Sequence, residues 1–544
     1  MRSERTALTH RITDEEESAI VYDSLDSWWY KLQQKKLWIG IGVVVVVAVL
    51  AAVVLIVALS AGLSDDDDND NKHKGTNYYE SVTATNIQKH LAKLFATANN
   101  LTNNTVNSRS VRNGYNESAA YIIQQLEQVV GKDFCEVSTQ DFVVPVYQQL
   151  DSPKLVLTAV SGNGSFSPLA YQLGVDFIGM RYGGNGTYNI SAGISVVANV
   201  GCDPSDYDSV APNSIALIQR GGNCTFYGKA LLAEAKNAAA ILFYNQVTTT
   251  VITAARVFDS TWVPTDPIIQ IPSLGISYSV GNTLRSLSER GPIEVNLVTR
   301  SQVTVDPTFN VFCTTKKGDP KNIVMAGAHL DSVPEGPGVN DNGSGSSSVL
   351  ELAVQMARQG ITPHNKVTFA WWGAEELGLI GSRAYVRSIV NTTQEKDIVA
   401  YLNFDMLGSP NYVPGIHNGT DTPANVRNGS VVIQGLFEEF FNKVLKKPYE
   451  LTGMSGGSDY YPFVIYTNIA AGGLATGASA LKTMDQRAIF GGFADTQLDT
   501  CYHMPCDTLD NIDAVCLQDM ARAAAYVLQR LALEKDVRKF VYGA

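Results

Sequence analysis

The chain has 544 residues and a net charge of −12 at neutral pH. This length is enough for more than one folded domain, and an apolar share of 45% is typical of a globular chain rather than a disordered one. The acidic balance argues against a nucleic-acid partner, which would need a basic surface; solubility is its simplest explanation.

The N-terminal part predicts a membrane anchor. Leu37–Leu59 is apolar and free of charged residues, and as a helix it would be about 34 Å long, enough to cross a bilayer. Lysines precede it and Asp65–Asp68 follow it, so the positive-inside rule places the N-terminus in the cytoplasm. We expect a cytoplasmic tail (1–36), a signal anchor (37–63) and an acidic stalk (64–79).

This topology predicts a single-pass type II membrane protein whose catalytic part is extracellular or lumenal, at the plasma membrane or in an endolysosomal compartment. A cleaved signal peptide is the alternative. Besides one at Asn342, ten N-x-S/T triplets follow the anchor and agree with that location, although chance alone gives several. They begin at Asn100, Asn103, Asn116, Asn163, Asn185, Asn189, Asn223, Asn391, Asn418 and Asn428.

All seven cysteines lie after the anchor, on the side where disulfides form. Cys501 and Cys506 are close in sequence and could staple the loop between them, and Cys202 with Cys224 is a second candidate pair. Cys516 lies on the apolar face of a predicted helix, where we expect a buried thiol. The sequence leaves the pairing of two further cysteines open: Cys135 and Cys313.

Hydrophobic periodicity divides the remaining chain into three segments. Helical patterns occupy about 80 to 135, and short β-rich runs with Gly and Asn turns fill about 155 to 300. From about 305 onward, the strand–helix alternation of a doubly wound α/β domain takes over.

Three short apolar runs lead into residues that can bind a metal ion. Runs of this kind are typical of buried parallel strands, and the chemistry of an open α/β sheet collects outside the carboxyl ends of its strands. We therefore expect the residues after these runs to lie close together. The runs are Ile323–Ala328 before His329, Lys366–Ala374 before Glu375 and Glu376, and Ala400–Phe404 before Asp405.

Two further residues complete a candidate site for two zinc ions. Asp341 lies in a Gly-rich loop before a predicted helix, and it is our candidate for the ligand that bridges the metals; a helix N-cap is the alternative. His503 is the fifth candidate ligand. Asp331 follows His329 by two residues in an extended segment, so it can accept the imidazole N–H that does not bind metal.

The adjacent residues Glu375 and Glu376 suggest a division of roles, in which one carboxylate binds metal and the other transfers a proton. The alternative is the first turn of a helix, where acidic residues interact favourably with the dipole. Tyr502, beside His503, could donate a hydrogen bond to an oxyanion.

These segments resemble the co-catalytic double-zinc aminopeptidases, which include secreted bacterial leucyl aminopeptidases and the fungal vacuolar aminopeptidase. The likeness covers about 80–150 and 300–535, and the segment 155–300 resembles a protease-associated domain. The matching motifs are AHLDS (Ala328–Ser332), AWWGAEELG (Ala370–Gly378), LNFDMLGS (Leu402–Ser409), CYH (Cys501–His503) and, in the inserted domain, IALIQRG (Ile215–Gly221) followed by Cys224-Thr225-Phe226.

The resemblance implies a doubly wound, mostly parallel α/β zinc-peptidase domain made of 80–154 and 301–544, interrupted by a noncatalytic protease-associated domain at 155–300. It implies that Asp341 bridges two zinc ions. The remaining ligands would be His329 and Asp405 for one ion, and Glu376 and His503 for the other.

Further roles follow from the resemblance alone. Glu375 would be the general base and then acid, Tyr502 would help to hold the oxyanion, and Cys501–Cys506 would be a disulfide. A cis peptide bond would follow Asp341. One position departs from some relatives, which carry Arg before a late Ser-Asp pair where this chain has Gly457.

We therefore expect a zinc aminopeptidase that removes N-terminal residues from peptides. The family resemblance alone implies that these residues are apolar. Rival functions on the same fold are a membrane glutamate carboxypeptidase, a nonenzymatic receptor like the transferrin receptor, and a single-zinc glutaminyl cyclase. The expected partners are peptides and, through Leu37–Leu59, a membrane; no oligomeric state is predicted. The triplet at Asn342 adjoins a proposed ligand, so we expect it to carry no glycan.

Overall fold

The computed structural model describes residues 77–99, 107–161, 166–246, 256–258 and 262–543. No helix within these ranges is both long enough and apolar enough to cross a bilayer. The predicted tail, the predicted anchor and most of the stalk lie outside the described residues.

The described strands belong to one mixed sheet that runs through both predicted domains. They are β1 (Cys135–Val160), β2 (Leu169–Ala170), β3 (Phe177–Gly179), β4 (Gly186–Val196), β5 (Ile215–Gln219), β6 (Ala240–Tyr244), β7 (Ser273–Ile276), β8 (Ile293–Thr315), β9 (Asp319–His329), β10 (Asn365–Trp372), β11 (Ile398–Phe404), β12 (Gly415–His417), β13 (Glu450–Thr452) and β14 (Ala470–Ala475).

The helices lie on both faces of this sheet. They are α1 (Tyr78–Ser81), α2 (Ala84–Asn99), α3 (Tyr115–Gln125), α4 (Phe226–Ala235), α5 (Tyr278–Arg290), α6 (Gly345–Arg358), α7 (Ile380–Ile389), α8 (Thr393–Asp397), α9 (Ala424–Glu439), α10 (Tyr460–Tyr466), α11 (Met484–Phe490), α12 (Ala514–Leu533) and α13 (Val537–Tyr542). Short helical turns occur at Leu126–Gly131, Pro204–Tyr207, Val339–Ser344, Gly419–Asp421, Phe440–Leu445 and Leu509–Asn511.

The strand order is β13-β12-β14-β11-β9-β10-β8-β4-β5-β6-β7-β3. Neighbours from β14 through β11 and β9 to β10 pair in parallel. The strands that flank this centre pair antiparallel, as β8 does with β10 and β12 with β14. The predicted parallel sheet is therefore correct for the strands that carry the candidate ligands, whereas the whole sheet is mixed.

Both faces of the central strands are buried, which is the arrangement expected of a doubly wound sheet. Successive side chains of a strand point to opposite faces. Accordingly, Trp371 packs in one core cluster with residues of α6 and α12, whereas Trp372 packs in another with residues of α7 and α10. Both tryptophans are fully buried.

The two domains share strands. β1 and β8 form a long antiparallel ladder from the pair Cys135↔Thr315 to the pair Val160↔Ile293. At one end this ladder joins the peptidase sheet through β10, and at the other it joins β4 of the inserted domain. These strands cross both predicted domain boundaries, near 154 and 300, and no pattern in the sequence indicated this.

Three disulfides connect six of the seven cysteines. Cys501–Cys506 and Cys202–Cys224 form as predicted. The two cysteines whose pairing was left open, Cys135 and Cys313, bond to each other across the β1–β8 ladder. Cys516 is a buried free thiol, also as predicted.

Candidate active site

The candidate ligands collect at one edge of the sheet. β11, β9 and β10 are neighbours in this order. His329 is the last residue of β9, Asp405 follows β11 directly, and Glu375 and Glu376 follow β10 after a two-residue turn at Gly373-Ala374. Parallel strands present their carboxyl ends at the same edge, and the side chains converge there as expected.

Asp341 lies between the two histidines. Its Oδ1 atom is 3.2 Å from Nε2 of His329, and its Oδ2 atom is 3.1 Å from Nε2 of His503. Asp405 Oδ1 approaches the first histidine at 3.3 Å, and Glu376 Oε2 approaches the second at 3.0 Å. Each oxygen of the Asp341 carboxylate therefore faces a different pair of side chains. One pair is His329 with Asp405, and the other is His503 with Glu376.

The donor atoms fit metal ions. They form two groups whose members lie within 4.8 Å of one another: His329 with Glu375 and Asp405, and Asp341 with Glu376 and His503. Imidazole nitrogen and carboxylate oxygen are the ligands of catalytic zinc.

Two atoms of this set also lack hydrogen-bond partners among the described residues. Oε1 of Glu376 and Oδ1 of Asp405 are buried and accept no hydrogen bond from the described residues. Buried carboxylate oxygens are normally paired with a donor or a cation. The side chains present therefore fit a cation.

The loop that carries Asp341 is held from both sides. The carboxylate of Asp507 accepts the backbone N–H of Asn340 at 2.8 Å and that of Asp341 at 3.1 Å. The Asn342 amide donates to the Phe404 carbonyl at 2.9 Å, beside the start of the Asp405 segment. The Asp341–Asn342 peptide bond is cis, as the family resemblance implied.

Asp331 has two functions in the structure, and the sequence suggested only one. Nδ1 of His329 lies 3.1 Å from the backbone carbonyl oxygen of Asp331 and 3.6 Å from its Oδ1. The carboxylate also accepts the backbone N–H groups of Glu375 at 3.0 Å and Glu376 at 3.3 Å. Asp331 thus links the imidazole to the turn that carries both glutamates.

Glu375 has the environment of a proton acceptor. Its Oε2 atom is 3.9 Å from Nε2 of His329. Burial raises the pKa of Glu375 well above its ordinary value; the negative charges of Glu376 and Asp459 add to this rise, whereas His329 opposes it. A carboxyl group whose pKa is raised in this way is a stronger proton acceptor than an ordinary carboxylate.

Tyr502 and His503 lie on the short loop closed by the Cys501–Cys506 disulfide. Their rings stack with centroids 3.8 Å apart. Tyr502 lines the same cavity as His329, Asp341, Glu375 and Glu376. It therefore lies beside the candidate ligands, where the sequence placed it.

Several residues at the site were not found from the sequence. Ser458 donates to Oδ2 of Asp405 at 2.6 Å and accepts from the Asn403 amide at 2.9 Å. Arg109 is fully buried and hydrogen-bonds carbonyls of the loop between His329 and Asp341. Neither residue is a metal-ligand type next to a strand end, so no local signal marked it.

The chain matches Peptidase family M28 over residues 310–528 and the PA domain over residues 190–284. An aminopeptidase from Pseudomonas aeruginosa is 37% identical over 468 residues, which cover 84% of this chain and 82% of that protein. A probable leucine aminopeptidase 2 from Aspergillus fumigatus is 39% identical over 350 residues, 64% of this chain and 68% of that protein.

Solved structures agree on the fold. An aminopeptidase from Aneurinibacillus sp. strain AM-1 has a TM-score of 0.63 at 23% identity, covering 84% of this chain and 96% of that chain. A zinc aminopeptidase from Bacillus subtilis has a TM-score of 0.53 at 22% identity, covering 85% and 97% respectively.

The chain therefore belongs to peptidase family M28 and carries an inserted PA domain. The predicted resemblance is confirmed, and so is the predicted enzyme class, a zinc aminopeptidase.

Proposed function

We propose that the protein removes N-terminal residues from peptides with two zinc ions held by His329, Asp405, Asp341, Glu376 and His503. The observation that carries this proposal is the position of Asp341, whose two carboxylate oxygens lie 3.2 and 3.1 Å from two different histidines. A carboxylate shared in this way suits two metal ions about 3.5–4 Å apart.

Bound zinc would supply Lewis-acid polarisation of the substrate carbonyl and activation of a water molecule. The protein supplies the proton transfer. Glu375 accepts a proton from the attacking water and returns it to the leaving amine, since its buried carboxyl group faces the same cavity as the candidate ligands. Asp331 keeps Glu375 in place through the backbone N–H at 3.0 Å.

Tyr502 is proposed to stabilise the negative charge that develops on the substrate carbonyl oxygen. Its position on a loop closed by a disulfide supports this role, because a donor aimed at the reacting centre contributes most when it is held in place beforehand.

Apolar N-terminal residues are the proposed substrates. The cavity has a volume of about 250 Å³. Beyond the charged residues, its walls include the side chains of Met406, Tyr460, Ala475 and Ala478. Side chains of this kind favour uncharged substrate residues through burial of apolar surface.

The direct test offers the purified protein two substrates: leucine p-nitroanilide, and a dipeptide with a blocked amine and a C-terminal glutamate. We expect cleavage of the first only. Cleavage of the blocked substrate alone would replace the aminopeptidase proposal with a carboxypeptidase. Metal analysis of the zinc-saturated protein should give two ions per chain, and one or none would refute the paired site.

The role of Glu375 is tested by Glu375→Gln, which keeps the shape of the side chain and removes its basicity. We expect near-complete loss of turnover with unchanged zinc content. Glu289→Gln is the matched control, because Glu289 is an exposed glutamate of the inserted domain. Retained turnover in the Glu375 variant would exclude this residue as the base.

We also propose the type II membrane topology, with Leu37–Leu59 as the anchor and the catalytic domain outside the cytoplasm. Exposed asparagines in N-x-S/T triplets support glycosylation, among them Asn116, Asn189 and Asn428, whereas Asn342 is fully buried and bonded to Phe404. Endoglycosidase treatment should increase the gel mobility of the native protein. In sealed vesicles that carry the catalytic domain on their outer surface, added protease should spare the N-terminal tail, because the tail lies inside the vesicle.

A further inference from the structure

His417 is a buried histidine in the wall of the active-site cavity that has no part in the proposed chemistry. It is the last residue of β12 and is 3% exposed. Its ring contacts Tyr460 edge to face with centroids 4.9 Å apart, and both residues line the cavity. Tyr460 is itself fixed, because its hydroxyl accepts the Gly456 N–H at 3.2 Å.

One nitrogen of the His417 imidazole lacks a hydrogen-bond partner among the described residues. Nδ1 is fully enclosed and makes no hydrogen bond with any described residue. A buried polar group in this condition is rare and costs stability, so it calls for an explanation. Burial lowers the pKa of His417 from 6.5 to about 4, so near neutral pH the ring is uncharged and carries one donor nitrogen and one acceptor nitrogen.

The depth of His417 matches the reach of a substrate side chain. β12 runs antiparallel to β14, with Ile416 opposite Leu474. Leu474 in turn pairs with Phe404, the residue before Asp405. His417 therefore lies about two residues, or roughly 6–7 Å, below the level of Asp405.

An aminopeptidase binds one residue ahead of the scissile bond. Since the carbonyl of that residue must lie beside the candidate zinc ligands, its side chain extends into the remaining part of the cavity. That part includes His417, Thr452 and Tyr460. Since Nδ1 is enclosed, the tip of a substrate side chain would meet the part of the imidazole that lines the cavity.

We propose that His417 is a specificity-determining residue that hydrogen-bonds the polar tip of an uncharged N-terminal side chain. The substrate class then includes peptides that begin with glutamine or asparagine, beside those that begin with their apolar isosteres methionine and leucine. This inference rests on the proposed aminopeptidase function. The inference extends that function, because a cavity with apolar walls alone would reject the side-chain amides of glutamine and asparagine.

The test compares isosteric substrates. For the native full-length enzyme and its variants, kcat/KM is measured on the p-nitroanilides of glutamine and methionine, and of asparagine and leucine. His417→Phe keeps the ring and its contact with Tyr460 but removes both nitrogens. We expect it to lower the glutamine-to-methionine ratio about tenfold, the equivalent of one hydrogen bond, while activity on methionine and leucine persists.

Two further variants serve as controls. His417→Gln restores a donor and an acceptor, so its ratio should stay within about twofold of the native value. His364→Phe makes the same substitution at an exposed histidine outside the cavity lining, and should leave the ratio unchanged. An unchanged ratio in His417→Phe, or an equal fall in His364→Phe, would overturn the assignment to His417.

A measurement on the native enzyme alone decides the matter if His417→Phe does not fold. Free glutamine and free methionine are compared as product inhibitors. We expect similar inhibition constants, because the hydrogen bond offsets the cost of desolvating the amide. Glutamine inhibiting more than about tenfold more weakly would refute the proposal. If the native enzyme cleaves methionine and leucine substrates but the glutamine-to-methionine comparisons do not give the expected results, only the role of His417 is wrong. If the native enzyme cleaves no substrate with a free amine, the proposed aminopeptidase function is wrong as well.

Discussion

Replacing Arg109 should destabilise the protein more than its place outside the ligand set suggests. The side chain is fully buried. Its Nε atom donates to the Pro337 carbonyl at 2.9 Å, and its two terminal nitrogens donate to the carbonyls of Leu330 and Gly338. These acceptors belong to the loop that runs from His329 to Asp341, so one guanidinium holds the connection between two candidate zinc ligands.

The size of the effect follows from these contacts. Arg109→Met keeps most of the apolar stem but removes all three donors. The Gly338 carbonyl retains the N–H of Gly343 at 3.0 Å, whereas the carbonyls of Leu330 and Pro337 lose the donor that Arg109 supplies. An unsatisfied buried carbonyl costs about 1–3 kcal/mol. We therefore expect the free energy of unfolding to fall by about 3–5 kcal/mol.

The assay is urea denaturation followed by tryptophan fluorescence, since Trp371 and Trp372 are fully buried beside the site. Arg109→Lys should recover part of the loss, because an ammonium group can reach some of the carbonyls but lacks the planar fork. The matched control is Arg112→Met. Arg112 is partly exposed and pairs with Asp306 at 2.6 Å, so its loss should cost less than about 1 kcal/mol.

Zinc affinity gives a second measurement, because the loop sets the distance between His329 and Asp341. Competition with a chelator should show weaker retention of zinc by Arg109→Met than by Arg112→Met. If the two variants unfold at the same urea concentration and retain zinc equally, the reasoning about the buried guanidinium is wrong.

Three more outcomes can be measured. Asp341→Ala should lower bound zinc more than Ser458→Ala does, because Asp341 faces both histidines whereas Ser458 only supports Asp405; equal zinc contents by atomic absorption would contradict the bridging role. The Cys501–Cys506 disulfide closes only a short loop, so replacing both cysteines by serine should lower the free energy of unfolding by only about 1–2 kcal/mol. Turnover should fall strongly, because this loop carries Tyr502 and His503. Unchanged turnover would show that the disulfide does not position these two residues. Because burial lowers the pKa of His417 from 6.5 to about 4, the stability that depends on its neutral ring is complete above pH 6.5 and is lost as the pH falls towards about 4. Between these values the native protein should lose up to roughly 3 kcal/mol more than His417→Phe does, and identical pH profiles in thermal melts would count against this shift.

Three of the five candidate ligands were predictable because each carries a local signal. His329, Glu376 and Asp405 follow short apolar runs, and the rule that parallel strands end at one edge brings them together before any coordinates are known. Asp341 and His503 lack that signal. Asp341 was suggested by a glycine-rich loop and His503 by its flanking cysteines, and family resemblance supplied their roles.

Other features had no local signal. Arg109 precedes the inserted domain and bonds a loop more than 220 residues away, a contact that no pattern of hydrophobicity encodes. The unpartnered nitrogen of His417 becomes visible only when the surrounding side chains are placed. The Cys135–Cys313 bond spans 178 residues, so spacing alone could not indicate it.

The length of β1 and β8 was also hidden in the sequence. β1 contains Pro145 and Pro153 and many polar residues, which weaken the alternation that marks a strand. The strand persists because β8 pairs with it over nearly its whole length. A long-range partner thus overrides a weak local preference.

This shared ladder has a mechanical consequence for the inserted domain. An inserted domain that is joined to its host by two loops alone can rotate or be removed without disturbing the host. Here any force on the insert is carried along hydrogen-bonded backbone from Val160 and Ile293 to the pair Cys135 and Thr315, with Phe312 paired to Ala370 of β10. The two domains should consequently melt in a single calorimetric transition, and no cut at the insert's borders can avoid breaking paired strands.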